Sequence, residues 1–380
     1  MALPNLEALL EEKKLPGLDG FRMVAVMAVV LAHSGVGTLF FSARHGVAGF
    51  FVLSGFLITW LLLKEHAKTG NVSFRKFYMR RSLRIFPAYY AFLLVSISWD
   101  LFRGNDDIKE AIVPGLFYFM NYHNALEGHS SSSIAHVWSL AIEEQFYLIW
   151  PILFVFLVRR GREYAVAFLI IASLVVLAWR SYSFTYLDYG PSYAYNAFDT
   201  RFDNLALGCL LAFLAQKPRW LSVFNSISSR FWMPFIPLGL LFLSKEYGSG
   251  DYAYGPAFTV DAVLLAILLL QLIRLSSGAF WGWLNHPVSV YLGVISYPIY
   301  LWHVWGLQAG DKLNFLPEWL QLLAGVILSC VLASASYHFL EKRFLRLKHR
   351  YEVVGAKPGR SPKAGNPSGM ESLAARERSS

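Results

Sequence analysis

A chain of 380 residues that is 56% hydrophobic and only 16% charged, with apolar runs recurring from residue 21 to residue 340, excludes an ordinary soluble domain, whose helices would carry charged outer faces. The composition is that of a polytopic helical membrane protein. The net charge of +9 is uneven: residues 342–380 hold ten Lys/Arg against three Glu, so the surplus belongs to a tail and makes no case for a nucleic-acid partner.

Segments long enough to span lie near 21–41, 46–64, 84–102, 138–158, 163–181, 202–216, 231–247, 256–274, 288–308 and 317–340, with a shorter candidate at 108–122. Lys64, Lys68, Arg75, Lys76, Arg80, Arg81 and Arg84 put the stretch 64–84 on the cytoplasmic side. Arg159, Arg160 and Arg162 should also lie inside, which requires 108–122 to dip in and return or to lie on the outer surface. The remaining markers agree. The expectation is an all-α polytopic fold of ten transmembrane helices plus one re-entrant or outer-surface segment, with both termini cytoplasmic. No cleavable signal peptide is apparent: the first apolar segment carries Arg22 and His33 and reads as a retained span. Residues 1–17 read as a cytoplasmic N-terminal segment, 18–345 as the transmembrane domain and 346–380 as a disordered basic tail with anionic lipid as a weak partner. Cys209 and Cys330 read as small buried residues.

Ionisable side chains are costly inside a bilayer and usually face a protein-lined cavity. Arg22 and His33 are eleven residues apart, which on one helix puts them on a shared stripe about 16 Å apart along the axis. Arg81 and Arg84, three apart, project from one side of a helix. With Arg22 and Arg80 they form an inner layer suited to phosphate, or simply a helix anchor obeying the charge bias. The outer layer holds His33, His136, Glu143, Glu144, Gln145, Asp199, Arg201, Asp203 and His303. There a neutral His33 beside Glu143 or Glu144 forms a general base; the bland alternative is a core hydrogen-bonder. Arg201 and Asp203 read as pairing with each other or a neighbour, and with His303 as candidate substrate lining. No Walker loop, His-Glu-x-x-His pattern or Gly-x-Ser-x-Gly elbow occurs, and no metal is expected. Ser54 reads as helix packing together with Gly49 and Gly55.

Several blocks in order carry a resemblance: Leu18-Asp19-Gly20-Phe21-Arg22 continuing to His33, Gly49 to Ile58 (GFFVLSGFLI), Arg81-Ser-Leu-Arg84-Ile85-Phe86-Pro87, Trp138 to Pro151 (WSLAIEEQFYLIWP), Ser296 to His303 (SYPIYLWH) and Tyr337 to Lys342 (YHFLEK). From about residue 15 to 345 the chain resembles the acyltransferase-3 family of integral membrane proteins. The resemblance implies transfer of an acyl group, often acetyl, from a cytosolic acyl-coenzyme A to a hydroxyl on an extracytoplasmic polysaccharide, glycolipid or related carbohydrate acceptor, in the inner membrane of a bacterium. It maps an Arg-x10-His motif onto Arg22 and His33 and an Arg-x-x-Arg motif onto Arg81 and Arg84. The chain departs from the usual pattern at Phe21-Arg22-Met23 and at Ala48-Gly49, where an acidic residue is often found. In the mechanism so implied, Arg81 and Arg84 hold the coenzyme A phosphates, Arg22 guides the pantetheine end, and His33 with Glu143 or Glu144 activates the acceptor. A brief acyl-His33 intermediate is the variant route. The rival readings are a transporter of a small anion and a membrane sensor or scaffold with a structural polar cluster.

Overall fold

The computed structural model describes residues 3–34 and 42–351. Among the described residues the fold is all helical, without a strand. A short surface helix α1 (Leu6–Glu11) precedes α2 (Leu18–His33), α3 (Ala43–Thr69) and α4 (Phe74–Phe102). Helices α5 (Asp107–Leu116) and α6 (Met120–Glu127) lead to α7 (Trp138–Arg160) and α8 (Arg162–Tyr186). A short α9 (Gly190–Asn196) enters α10 (Phe202–Leu214), followed by α11 (Pro218–Ile227) and α12 (Phe235–Glu246). Then come α13 (Gly250–Tyr254), α14 (Pro256–Leu275), α15 (Pro287–Val294), α16 (Ser296–Asp311), α17 (Glu318–Ser336) and α18 (Lys342–Lys348).

Among the described residues, six stretches are long and apolar enough to cross a membrane: Ala43–Thr69, Phe74–Phe102, Ala135–Arg160, Arg162–Tyr186, Pro256–Leu275 and Glu318–Lys348. The other expected spans are helical but shorter. The 13 residues of α10 reach only about 20 Å, and the 288–308 segment is divided at Ile295 into α15 and α16. The outer part of the 21–41 segment lies outside the described residues. The 108–122 segment is not one continuous helix: it breaks between α5 and α6, where Tyr118 takes φ 57°. Its broken end is held by Gln145, whose amide donates to the Tyr118 carbonyl and exchanges hydrogen bonds with Asn121. Helix continues through Lys348 into a short turn ending at Tyr351, so the first residues expected in the tail are structured. The remainder of the tail falls outside the described residues.

Leu94, Phe102, Leu148, Ile152, Ile171 and Leu174 are exposed on the outside of α4, α7 and α8, as an apolar solvent requires. Helix α3 is central, with 78% of its apolar stretch buried against 17% for the last span. It packs closely on α10 because both carry glycine at the crossing. A methyl group on Gly55 would strike the Leu205 carbonyl, and one on Gly208 the Val52 carbonyl. This contact puts Ser54 and Phe51 of α3 against the interior faces of the bundle.

Candidate active site

Helix α2 starts after Gly17, whose φ of 74° suits a residue without Cβ. Asp19 in its first turn complements the helix N-terminus and accepts from Lys14 at 2.9 Å and from Arg22 Nη1 at 3.1 Å. That carboxylate fixes where Arg22 points. On α4 the Ser73 hydroxyl caps the helix start, and Arg81 and Arg84 follow on one side. The Arg81 guanidinium lies 5.0 Å from the Tyr147 ring and 5.9 Å from the Phe77 ring. Among the described residues no carboxylate pairs with Arg81 or Arg84.

Arg22, Arg81 and Arg84 line two adjoining cavities. The first encloses about 300 Å³ and is also lined by Lys13, Lys64, Arg80 and Lys348, with Glu65 as its one carboxylate. Glu65 is already engaged: it pairs with Arg80 at 3.2 Å and accepts from the Ser73 amide. Lys64 braces α1 by donating to the Glu11 and Glu12 carbonyls. The second, deeper cavity is lined by Ser54, Ser139, Glu143, Glu144, Tyr147 and Tyr300 beyond the arginines.

In that cavity Glu143 accepts from the Ser54 hydroxyl at 2.8 Å and lies 3.1 Å from the Tyr147 hydroxyl, which also reaches Ser54 Oγ at 3.0 Å. Helix packing, expected of Ser54, is done by its neighbour Gly55; the Ser54 hydroxyl serves Glu143, a partner 89 residues away that no local pattern could reveal. Glu144 lines the same cavity, and its enclosed Oε1 has no hydrogen-bond partner.

His33 is exposed at the end of α2, and its Nδ1 lies 2.9 Å from the Val29 carbonyl. A carbonyl only accepts, so the neutral ring carries its proton on Nδ1 and its lone pair on Nε2. The backbone of its own helix therefore sets the tautomer; Glu143 and Glu144, expected beside His33, sit instead on the arginine side. The groups brought to His33 are two other histidines. Its ring meets His303 edge-on at 4.9 Å, and His303 meets His136 at 5.0 Å. His303 Nδ1 lies 2.7 Å from the Tyr300 carbonyl, leaving Nε2 enclosed without a partner. His136 Nε2 lies 3.2 Å from the Leu301 carbonyl. The Tyr300 hydroxyl contacts both the His136 carbonyl and Ser139 Oγ. A continuous run of contacts thus joins the deeper cavity, through Ser139 and Tyr300, to the three histidines.

Arg201 and Asp203 do not pair. Two positions apart at the start of α10, they point in different directions. Asp203 binds Arg180 at 3.1 Å, both side chains fully buried, and is also contacted by Thr259. Arg180 interrupts an apolar run, which is the signal that marks a paired membrane residue. Asp261 in α14 likewise takes Arg44 at 2.8 Å and His45 at 3.3 Å. Asp199 accepts from Tyr122, Trp179 and Tyr193, a structural knot rather than an open group. Arg201 lies among aromatic rings.

The family described as an acyltransferase domain matches residues 15–338. This chain belongs to the acyltransferase-3 family. Relatives of the acyltransferase-3 chain include "Putative O-acetyltransferase SACOL0978" of Staphylococcus aureus (strain COL), 32% identical over 87% of this chain and 57% of the relative. "Putative peptidoglycan O-acetyltransferase YrhL" of Bacillus subtilis (strain 168) is 33% identical over 86% of this chain and 54% of the relative. "O-acetyltransferase OatA" of Staphylococcus aureus (strain NCTC 8325 / PS 47) is 27% identical over 89% and 58%. The chain spans a little over half the length of these relatives. No solved structure matches. The transporter alternative gains no support from these matches. The part of this acyltransferase-3 chain that matches the family contains every residue named above on either cavity except Lys13 and Lys348.

Proposed function

We propose that the protein is a membrane O-acyltransferase, moving an acetyl or similar acyl group from a cytosolic acyl-coenzyme A to a hydroxyl of an extracytoplasmic glycan. The observation that carries this reading is the sharing of Arg22, Arg81 and Arg84 between a strongly basic mouth and a deeper polar cavity. Seven cations against one engaged carboxylate suit a polyanion. Guanidinium groups suit its phosphates, and the narrow arm of the donor would run past them towards Glu143, Glu144 and Tyr300. The relatives' names support O-acetyl transfer, and one supports a peptidoglycan-type acceptor.

In this reading the chain crosses a bacterial plasma membrane ten times with both termini inside. The basic mouth then faces the cytosol and the His33 end faces out, as the positive-inside bias favours. His33 Nε2 takes the proton of the acceptor hydroxyl as its oxygen attacks the thioester carbonyl. The carbon–sulfur bond breaks, the coenzyme A thiolate leaves, and the proton on His33 returns to it, so the products are the acylated glycan and free thiol. His303, whose ring packs edge-on with the His33 ring, lines the acceptor side and stabilises the protonated imidazole. Glu143, fixed by Ser54 and Tyr147, offsets part of the arginine charge where the uncharged acyl end must sit, and Glu144 stands beside it.

The test is labelled-acetyl transfer from acetyl-coenzyme A into glycan in membranes carrying the protein, with coenzyme A binding measured in parallel. Label in glycan together with saturable binding supports the proposal. Neither label nor binding overturns it.

A further inference from the structure

We infer that Arg201 is the anion-recognition group of the acceptor site and selects a glycan bearing a carboxylate, such as a uronic acid; this naming of the acceptor rests on the acyl-transfer reading above. Arg201 is fully buried, and among the described residues its Nε, Nη1 and Nη2 all lack a hydrogen-bond partner. Its guanidinium lies 4.1 Å from the Phe258 ring, 5.3 Å from Tyr195 and 5.7 Å from Phe51. Aromatic faces attract a cation but accept none of its five N–H groups in the plane. An arginine cannot shed its proton to escape burial, so an enclosed, unpaired guanidinium calls for a counter-charge.

Among the described residues no carboxylate pairs with it. The charged groups that act most strongly on Arg201 are Arg180, Asp203 and Arg44. Both Asp203 oxygens are taken by Arg180, which also donates to the Thr200 and Gly255 carbonyls. Arg44 has Asp261. Two carboxylates therefore stand against three guanidinium groups, and the surplus is a single positive charge at Arg201. A carboxylate cancels one charge and accepts the planar fork in the bidentate manner; a phosphate dianion would leave the cluster negative.

The position fits an acceptor group. Arg201 precedes α10 at the same end of the bundle as the end of α2 that bears His33, the start of α3 and the start of α7. Phe51, one wall of the Arg201 box, also lines the deeper cavity, so one ring separates the guanidinium from that space. The Trp138 ring lies 6.4 Å from Phe51 and 4.9 Å from Tyr195, centre to centre, and completes the aromatic box around the guanidinium.

The test uses the full chain purified in detergent and follows thermal unfolding on titration with sodium glucuronate, or with glucuronamide, its uncharged analogue of the same shape. Wild type should bind glucuronate at least tenfold more tightly than glucuronamide. Arg201→Met should erase that difference and Arg201→Lys keep part of it. The Met variant should still fold, because it removes a charge that has no partner in the protein. Equal response of wild type to the two sugars, discrimination surviving in Arg201→Met, or an equal response to inorganic phosphate would each overturn the assignment. Glucuronate discrimination that depends on Arg201, without acyl transfer to any glycan, would sink the proposed reaction and leave this site standing.

Discussion

Replacing His33 with alanine separates a chemical role from a structural one, because the structure bounds what the side chain can contribute to the fold. His33 is exposed and, among the described residues, makes one hydrogen bond, to the Val29 carbonyl of its own helix, worth about 1 kcal/mol. Its edge-on contact with His303 adds about 1 kcal/mol more. A loss of about 2 kcal/mol leaves a normally stable protein folded. Loss of a general base costs about 100- to 10,000-fold in rate, or about 3–5 kcal/mol of barrier. His33→Ala should therefore lose at least about 100-fold in acetyl transfer per folded molecule while keeping its level in the membrane and its affinity for coenzyme A. His33→Gln supplies the discriminating control: its amide can still donate to the Val29 carbonyl but is not basic, so it should be as inactive as the alanine variant. The assay is the initial rate of labelled-acetyl transfer, normalised to folded protein by thermal unfolding. Activity of either variant within about threefold of wild type would refute the assignment of His33 as base.

Arg81→Ala and Arg84→Ala should each raise the KM for the acyl donor by about tenfold or more, the loss of one charge-assisted phosphate contact. Their kcat should change little; initial-rate kinetics over donor concentration check this. Asp203→Ala strands Arg180 in the interior and should cost about 3–5 kcal/mol, seen as a lowered unfolding midpoint, and the double change with Arg180→Met should recover most of it. Gly55→Leu must push α3 away from the Leu205 backbone, costing about 1–3 kcal/mol by overpacking, read out in the same unfolding assay; an unchanged midpoint would mean that the two helices do not need their close crossing.

The helices arise where long apolar runs predict them, because in a bilayer a helix is the simplest way to pair every backbone group. Arg159, Arg160 and Arg162 lead to the expectation that 108–122 is no simple crossing, and the segment does break into two helices. The location of the break was not readable: nothing local announces the positive φ of Tyr118. Arg22, Arg81 and Arg84 stood out as ionisable groups in or beside apolar runs, and they share one lining. The pairings across helices were hidden. Ser54 with Glu143, Arg180 with Asp203 and Arg44 with Asp261 depend on how far one helix slides and turns against another, which no single segment encodes. His33 illustrates the same limit. Its place on the stripe with Arg22 could be read from spacing, but its neighbours His303 and His136 come from chain positions 270 and 103 residues away, and its orientation comes from a backbone carbonyl that every residue possesses.

The sharing of Arg22, Arg81 and Arg84 by the two cavities bears on a problem any such protein faces. A chain of polar cavities running into a bilayer is a possible electrical leak, and an energised membrane cannot tolerate one. Fixed positive charges lining both cavities repel protons and metal cations, and under the proposed function the same charges would hold the bulky anionic donor. In the proposed reaction the three arginines would preserve the insulation of the membrane while a reactive group is presented through it.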